Sequence, residues 1–336
     1  MNHAKIKYDP DNLKSFDREW LIHRRCKEWW YATGVLFDEE NNMYSYQYTL
    51  LHINFGVITA KMAMIALTDY KNNHHHYLQA PASKESPVLV TENEASIGSI
   101  ASAKKTEQGI HIALNHRDFS LDLMAQYGKG AVWHCDKGKL QMGIPGKKQT
   151  TLYYSYPNMP TEGTLQLNGK AKHLKGKSWF DKQGGTYRIT DARTHWEWFS
   201  LRFFDDEEAM LFTFPQNTPP YCDGTFIAKD GSYHRLNRYT LVQTATTTFQ
   251  GLKWSSGWQL HMEEKEEDYT ILPVQAGHMN FAYFEELCTI TNKRGELVGY
   301  AFAELLPGVL NQKWTGHVSC GERLISITNL FKRVEF

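Results

Sequence analysis

Hydrophobic and polar residues alternate with a period of two along most of the chain. In the segment 43–51 (MYSYQYTLL) the three tyrosines fall on one face. The segments 109–124 and 288–302 alternate in the same way on both sides of a polar turn, as antiparallel hairpins do. Helical periodicity is confined to the segments 12–27 and 322–334. The pattern therefore predicts an all-β fold with short helices mainly at the termini.

One long motif occurs twice in the chain. Residues 28–44 (EWWYATGVLFDEENNMY) and 196–212 (WEWFSLRFFDDEEAMLF) share an aromatic pair, an apolar run, an acidic cluster and a final aromatic residue. Without a gap they align at an offset of 168 residues, which is half of the 336-residue chain. This offset predicts two copies of one domain, with Trp30 equivalent to Trp198 and Tyr44 equivalent to Phe212.

The segment 153–185 joins the two copies and contains two prolines and several glycines that are typical of turns. We place the domain boundary near residue 160, which gives an N-terminal domain at 1–160 and a C-terminal domain at 161–336, although the repeat offset alone allows any position from there to about residue 188. Copies of this length suit two tandem antiparallel β-barrels, because closing a sheet removes its exposed edges.

Composition and charge narrow the possible function classes. Lys and Arg together number 37, as do Asp and Glu, so the chain lacks the basic excess of a nucleic-acid-binding protein. The first twenty residues contain no apolar segment of the kind found in a signal peptide or membrane span. The five cysteines are scattered and form no CxxC motif. We therefore expect a cytoplasmic protein with no disulfide framework, no membrane span and no nucleic-acid partner, and its oligomeric state stays open.

Four stretches, taken in order, resemble one protein family. They are EWWY at 28–31, YYS at 153 with GTLQLNGK and GKSWFD up to Asp181, HWEWFSLRFFDDEEAMLF at 195–212, and FEEL with VGYAFAEL within 284–305. Together they resemble the AttH family of lipocalin-like proteins, which includes carotenoid 1,2-hydratases, kievitone hydratases and natural-product cyclases, Diels–Alderases among them. The resemblance implies two tandem lipocalin-like barrels and a dry pocket for a large apolar molecule.

The sequence departs from the hydratase branch of this family directly after Asp181. That branch carries a His and a Trp where this chain has Lys182 and Gly184. A lysine is a poor proton donor near neutral pH unless burial lowers its pKa. We therefore expect a wider or differently shaped pocket and no activity on carotenoids.

Four residues are candidates for catalysis: Glu28, Asp181, Lys182 and Glu197. A carboxylic acid inside an apolar barrel has a raised pKa and could donate a proton, although Glu28 could instead form an ion pair at the barrel mouth. Glu197 shares a strand face with His195 and could relay a proton, or both could face solvent. Asp181 could be the general acid, or could cap the turn before Gly184 and Gly185.

The aromatic content, with 10 Trp, 18 Tyr and 17 Phe, suits a flat apolar cavity with hydroxyl groups on its wall. Ordinary core packing is the alternative for any one of these residues. The candidates for contact with a substrate are Trp30, Tyr46, His195, Trp198, Tyr283 and Glu286.

No metal or cofactor is expected. The string His74-His75-His76 follows two asparagines and is interpreted as a polar loop, and adjacent residues of a strand point to opposite faces. The chain contains no HExxH, GxSxG, GxGxxG or P-loop motif.

Two functions remain open from the sequence. The first is an enzyme that hydrates, isomerises or cyclises a large apolar unsaturated metabolite of terpenoid, polyene or polyketide type, using a buried carboxylic acid and no cofactor. The second is a non-catalytic carrier of a hydrophobic small molecule. In both cases the expected partner is a hydrophobic small molecule.

Overall fold

The computed structural model describes residues 5–146, 148–189, 191–249, 252–275, 284–306 and 332–335. Within them the chain is nearly all β, which confirms the predicted fold class. The helical elements are α1 (Phe16–Glu19) and the 3-10 turns Ala192–Thr194 and Glu263–Lys265. The strands are β1 (Lys5–Ile6), β2 (Ile22–His23), β3 (Lys27–Phe37), β4 (Met43–Asn54), β5 (Thr59–Asp69), β6 (His74–Pro81), β7 (Val88–Val90), β8 (Glu94–Ile97), β9 (Ala101–Lys105), β10 (Gly109–Asn115), β11 (Phe119–Gln126), β12 (Val132–Trp133), β13 (Lys139–Gln141), β14 (Thr150–Leu167), β15 (Lys170–Thr186), β16 (Glu197–Phe203), β17 (Glu208–Phe214), β18 (Tyr221–Ile227), β19 (Tyr233–Arg235), β20 (Tyr239–Gln243), β21 (Thr246–Phe249), β22 (Leu252–Ser255), β23 (Trp258–Met262), β24 (Glu267–Pro273), β25 (Phe284–Asn292), β26 (Leu297–Leu305) and β27 (Val334–Glu335).

The predicted hairpins at 109–124 and 288–302 are present, as β10–β11 and β25–β26. The predicted helix at 12–27 is reduced to α1, because the chain enters the sheet at β2 and β3 soon after it. Ser15 caps this short helix by accepting a hydrogen bond from the Arg18 amide at 3.2 Å. The predicted helix at 322–334 lies mainly outside the described residues, and its last residue begins β27. No helix in the described part of the chain is long and apolar enough to cross a membrane.

The first compact unit contains the described residues up to 133, residues 151–186 and β27. Its sheet has the order β27-β6-β5-β4-β3-β15-β14-β11-β10-β9-β8-β7 and curls into a half-barrel. The curl brings β4 close to β8, where the Tyr48 hydroxyl donates a hydrogen bond to the Ala95 carbonyl at 2.7 Å. The inner face carries a dense aromatic core that includes Trp20, Trp30, Tyr44, Tyr46, Tyr48 and Phe180.

The second compact unit contains the described residues of 134–150 and of 187–306. Its sheet has the order β19-β18-β17-β16-β26-β25-β24-β23-β20, and β21 and β22 form a separate hairpin. This sheet also curls into a half-barrel. Its core includes Phe199, Leu201, Trp254, Trp258 and Ile290.

The division between the units differs from the predicted boundary at residue 160. That residue lies inside β14, and β15 pairs with β3 from Lys175 to Gly185. Both strands therefore complete the sheet of the first unit, which extends to residue 186. The prolines and glycines of 153–185 lie within β14 and β15, apart from Gly169 in the turn between them, and do not mark a linker.

The gapless offset of 168 residues between the two motifs is wrong in register. Trp30 faces the core of the first unit, whereas Phe199 faces the core of the second, so that Trp198 lies on the opposite face of its strand. The tight turns also disagree, since the left-handed residues Asn41 and Asp206 are 165 positions apart. The two motifs do form the β3–β4 and β16–β17 hairpins, and a gapless offset of 165 residues matches their inward faces and their turns.

Candidate functional site

A buried ionic network occupies the inner face of the first unit. The Lys182 ammonium donates a hydrogen bond to Glu28 Oε1 at 3.0 Å. His23 donates to the same carboxylate twice, from Nδ1 at 2.6 Å and from its backbone amide at 2.8 Å. The His23 Nε2 also lies 2.7 Å from Glu19 Oε2. All four side chains are buried, so the network contains two acidic and two basic groups in a water-poor environment.

The pairing of β3 with β15 positions this network. Lys182 lies directly opposite Trp30, and its ammonium is 4.3 Å from the indole centroid, which favours a cation–π contact. Gly184 lies directly opposite Glu28, and a Cβ atom at that position would be 2.5 Å from Glu28 Cγ. The missing side chain at Gly184 therefore makes room for Glu28, and does not widen a pocket as the sequence suggested.

The electrostatics of Glu28 contradict its predicted role as a protonated acid. Burial alone would raise the pKa of Glu28, but the charge of Lys182 and the hydrogen bond from His23 outweigh it and hold the pKa below its usual value. Burial would likewise lower the pKa of His23, but hydrogen bonds to Glu19 and Glu28 raise it. Glu28 is thus an ionised carboxylate. This agrees with the alternative interpretation from the sequence, in which Glu28 forms an ion pair.

Asp181 lies on the opposite face of the same sheet, because it pairs with Tyr31 and not with Trp30. It is buried within β15, so it does not cap a turn. Its carboxyl group accepts hydrogen bonds from the Tyr153 hydroxyl at 3.0 Å, from Trp179 Nε1 at 2.5 Å and from the Ser155 hydroxyl. Asp181 and Glu28 therefore belong to two separate groups, one on each side of the sheet.

Two carboxyl groups lie on the inner face of the second unit. Glu197 shares its strand face with Phe199, and Phe199 pairs with Ala303, which in turn pairs with Glu286. The Glu197 carboxyl accepts a hydrogen bond from the Ser255 hydroxyl at 2.6 Å and from Trp258 Nε1 at 3.0 Å.

Burial raises the pKa of Glu197, although these two hydrogen bonds oppose the shift. Burial raises the pKa of Glu286 well above its usual value. The nearby Ser256 hydroxyl opposes this shift. However, neither carboxyl oxygen of Glu286 has a hydrogen bond of good geometry within the described residues. No cation is among the groups that shift either pKa, so burial moves both carboxyl groups toward the protonated form relative to an exposed glutamate.

The remaining candidates from the sequence are dispersed. Tyr46 lies on the inner face of the first unit and donates a hydrogen bond to Ser178 Oγ at 2.7 Å. His195 Nε2 is 3.0 Å from the Ile189 carbonyl, and the described partners of Glu197 do not include His195. Trp198 is buried on the face opposite the second core, and Tyr283 lies outside the described residues.

Several residues of these groups were not predicted from the sequence. Glu19 and His23 were overlooked because their segment was interpreted as a long helix, although their spacing of four residues was visible. Ser255 and Trp258 are far in sequence from Glu197, and nothing local to the chain indicates this contact. The same is true of Tyr153, whose hydroxyl contacts Asp181 at the end of the GKSWFD motif.

The histidine string 74–76 is part of β6 and not a loop. One of its members, His76, converges with His116 and Asp118 from the turn between β10 and β11. Each of the three offers a ligand atom, and these atoms lie within 4.8 Å of one another. Only one of the three adjacent histidines therefore belongs to this set, and the sequence did not indicate that His76 meets residues of a distant turn.

Comparison with known proteins gives a consistent result for the fold. The sequence profile described as AttH-like matches residues 7–308. The crystal structure of an AttH-type protein from Nitrosomonas europaea is similar with a TM-score of 0.79 and 18% identity, covering 90% of this chain and 99% of the other. Kievitone hydratase from Nectria haematococca is similar with a TM-score of 0.66 and 17% identity, covering 83% and 88%. No curated protein sequence matches this chain significantly.

Proposed function

Because this chain belongs to the AttH-like family, we propose that it is an acid catalyst that hydrates, isomerises or cyclises a large apolar unsaturated metabolite. The observation that carries this proposal is the Glu286 carboxyl group, which is buried on an apolar inner face without a cation or a well-formed hydrogen bond in the described chain. Leaving such a group unpaired is costly for folding, and groups of this kind cluster at functional sites.

The chemistry follows from the protonation state. A neutral Glu286 transfers its proton to one carbon of an alkene, and the electron pair of the double bond forms the new C–H bond. The cation that results is stabilised by the π faces of neighbouring rings such as Trp254 and Trp258, which belong to the same core. Water then adds to the cation and returns a proton to the Glu286 carboxylate, or loss of a neighbouring proton gives an isomer. The second acid, Glu197, is held in place by Ser255 and Trp258 and orients the substrate or water.

The carrier function is supported by a different observation. In the first unit, Lys182 donates a hydrogen bond to Glu28, and the Asp181 carboxyl group accepts hydrogen bonds from three donors. None of the described acids of that unit is, like Glu286, both buried and without a cation or a well-formed hydrogen bond. The inner face of the first unit would therefore bind a ligand without transferring a proton to it. A terpenoid, polyene or polyketide ligand suits an apolar interior of this kind in either case.

The test uses isotope incorporation. Kievitone is the first substrate to try, because the similar hydratase carries its name, and apolar metabolites that copurify with the chain come next. The chain is incubated with each compound in deuterium oxide, and mass spectrometry measures deuterium and water added to the product. We expect Glu286→Gln to reduce the rate at least 100-fold, in line with the contribution of a general acid.

The matched control is Glu285→Gln, which alters the neighbouring buried carboxyl group on the opposite face of β25. It should retain most of the rate. If Glu286→Gln incorporates deuterium as fast as the parent chain, Glu286 is not the acid. If the parent chain binds copurifying metabolites without altering any of them, the carrier function is correct.

A further inference from the structure

The curl of the first unit brings two distant pieces of sequence together. His76 lies on β6, next to the terminal strand β27, while His116 and Asp118 lie in the turn between β10 and β11. His76 Nδ1 is 3.5 Å from Asp118 Oδ2, and His116 Nδ1 is 3.6 Å from the same oxygen. These three residues take no part in the networks of Glu28, Asp181 or Glu286.

The two distances from the histidine nitrogens to Asp118 Oδ2 suit a shared metal ion better than direct hydrogen bonds. Both exceed the usual range for a hydrogen bond between nitrogen and oxygen. In a tetrahedral zinc site, ligand atoms about 2.0–2.1 Å from the ion are about 3.4 Å from one another. The nitrogen–oxygen edges therefore already lie near the spacing that such an ion requires.

The two imidazoles are buried and incompletely satisfied. His76 is 5% exposed and His116 is 9% exposed, and His76 Nδ1 has no hydrogen-bond partner among the described residues. His116 Nδ1 accepts only a long bond, at 3.2 Å, from the amide of Asp118. A buried polar atom without a partner is rare in native structures and calls for a ligand, an ion or a water molecule.

A carboxylate also lies behind one of the candidate ligands. Glu335 Oε1 is 3.6 Å from His116 Nε2, which has no hydrogen bond in the described chain. Metal-bound histidines generally donate their second ring N–H to a carboxylate or carbonyl group, and this fixes the tautomer whose lone pair is on Nδ1. In His116 a metal would take this lone pair in place of the Asp118 amide. Arg117 contacts both Asp118 and Glu335, but its side chain is 61% exposed and can move into solvent.

We propose that His76, His116 and Asp118 bind one zinc ion, with Glu335 supporting His116 and the fourth position left to water. Two imidazole nitrogens and one carboxylate oxygen are preferred zinc ligands, and three protein ligands leave such a position open. The ion would tie β6 to the β10–β11 turn, which are far apart in the strand order of the sheet. This zinc site is independent of the acid chemistry proposed for the second unit.

The histidine string supplies a matched control. Side chains alternate along β6, so His75 points to the other face, where it lies 2.8 Å from the Thr68 hydroxyl. The untagged full-length chain is stripped with a chelator and titrated calorimetrically with zinc chloride, and Co²⁺ is then used in place of zinc for visible absorption. We expect one ion per chain, a tetrahedral Co²⁺ spectrum and a Tm that rises with the zinc concentration.

The variants separate this site from adventitious binding. His76→Ala, His116→Ala and Asp118→Asn should each weaken zinc binding by about 100-fold or more, and Glu335→Gln by about tenfold, while His75→Ala binds like the parent. Circular dichroism of each metal-free variant checks that it folds. The proposal is overturned if the parent binds no stoichiometric zinc, or if His75→Ala loses as much affinity as His76→Ala. It is also overturned if folded His76→Ala keeps the parent affinity.

Discussion

In the first unit, the carboxylate of Glu28 accepts hydrogen bonds from Lys182 and His23, whereas in the second unit the carboxyl group of Glu286 has no well-formed hydrogen bond within the described residues. Both groups are buried on the inner face of a curled sheet. Their pKa values nevertheless move in opposite directions, downward for Glu28 and upward for Glu286. Burial is common to both, so the difference comes from the presence or absence of a buried cation.

This comparison has a consequence for the pH dependence of stability. The pKa of Glu28 is lowered by folding, so its stabilising contribution is present above the unfolded pKa and is lost as pH falls through the folded pKa. The pKa of Glu286 is raised by folding, so the free energy of unfolding falls as pH rises above the unfolded value. His23 has a raised pKa, and its contribution is complete below the unfolded pKa and is lost as pH rises through the folded one.

The largest effect is expected from removing the buried cation of the first unit. Lys182→Met leaves Glu28 with only His23 as its basic partner and should reduce the free energy of unfolding at pH 7 by about 3–5 kcal/mol. Urea unfolding followed by circular dichroism measures the loss. The double variant Lys182→Met with Glu28→Gln removes both charges and should recover much of the stability. Equal stability of the single variant and the parent would show that Lys182 does not compensate Glu28.

The opposite result is expected for Glu286, the buried acid of the second unit that has no well-formed hydrogen bond within the described residues. Glu286→Gln removes the need to bind a proton on folding and should increase the free energy of unfolding at pH 7 by roughly 1–3 kcal/mol. The gain should shrink as pH approaches about 4, where the carboxyl group is protonated in both states. A gain that does not depend on pH would mean that the ionisation of Glu286 is not its source.

A smaller effect is expected at the glycine that makes room for Glu28. In Gly184→Ala the added Cβ would meet Glu28 Cγ at 2.5 Å, and shifting the network should cost about 1–3 kcal/mol. In a Glu28→Ala background the same substitution should cost less, because the two closest atoms, Cγ and Oε1 of Glu28, are gone. A double-mutant cycle measures this coupling, and a coupling of zero would contradict the contact.

Much of the fold was predictable from local pattern. Alternation within single strands was sufficient to predict the β10–β11 and β25–β26 hairpins and the shared face of Tyr44, Tyr46 and Tyr48. It also placed Glu28 and Trp30 on one face, which the structure confirms. These features depend only on neighbours in sequence, because side chains of a strand alternate between its two faces.

The composition of the candidate sites was less predictable, because it depends on register between distant strands. A shift of one residue in the pairing of β3 with β15 would have brought Asp181, and not Lys182, to the face of Glu28. The predicted sign of the Glu28 pKa shift failed for the same reason, since its main compensating charge lies 154 positions away. The repeat register failed because gapless matching of motifs does not distinguish an inward from an outward side chain.

The smallest effect is expected at Ser255, whose hydroxyl donates a hydrogen bond to Glu197 at 2.6 Å. This bond favours the ionised form and opposes the rise in the pKa of Glu197 that burial causes. Ser255→Ala should therefore raise that pKa further and reduce the free energy of unfolding by about 1 kcal/mol. The loss should be larger at pH 8 than at pH 5, because more protons must then be taken up on folding. Urea unfolding of Ser255→Ala at both pH values measures this difference, with Ser256→Ala as the neighbouring control, which should leave the titration of Glu197 unchanged. A loss that is equal at both pH values would show that Ser255 contributes packing alone, and that Glu197 resembles Glu286 in having no effective electrostatic partner.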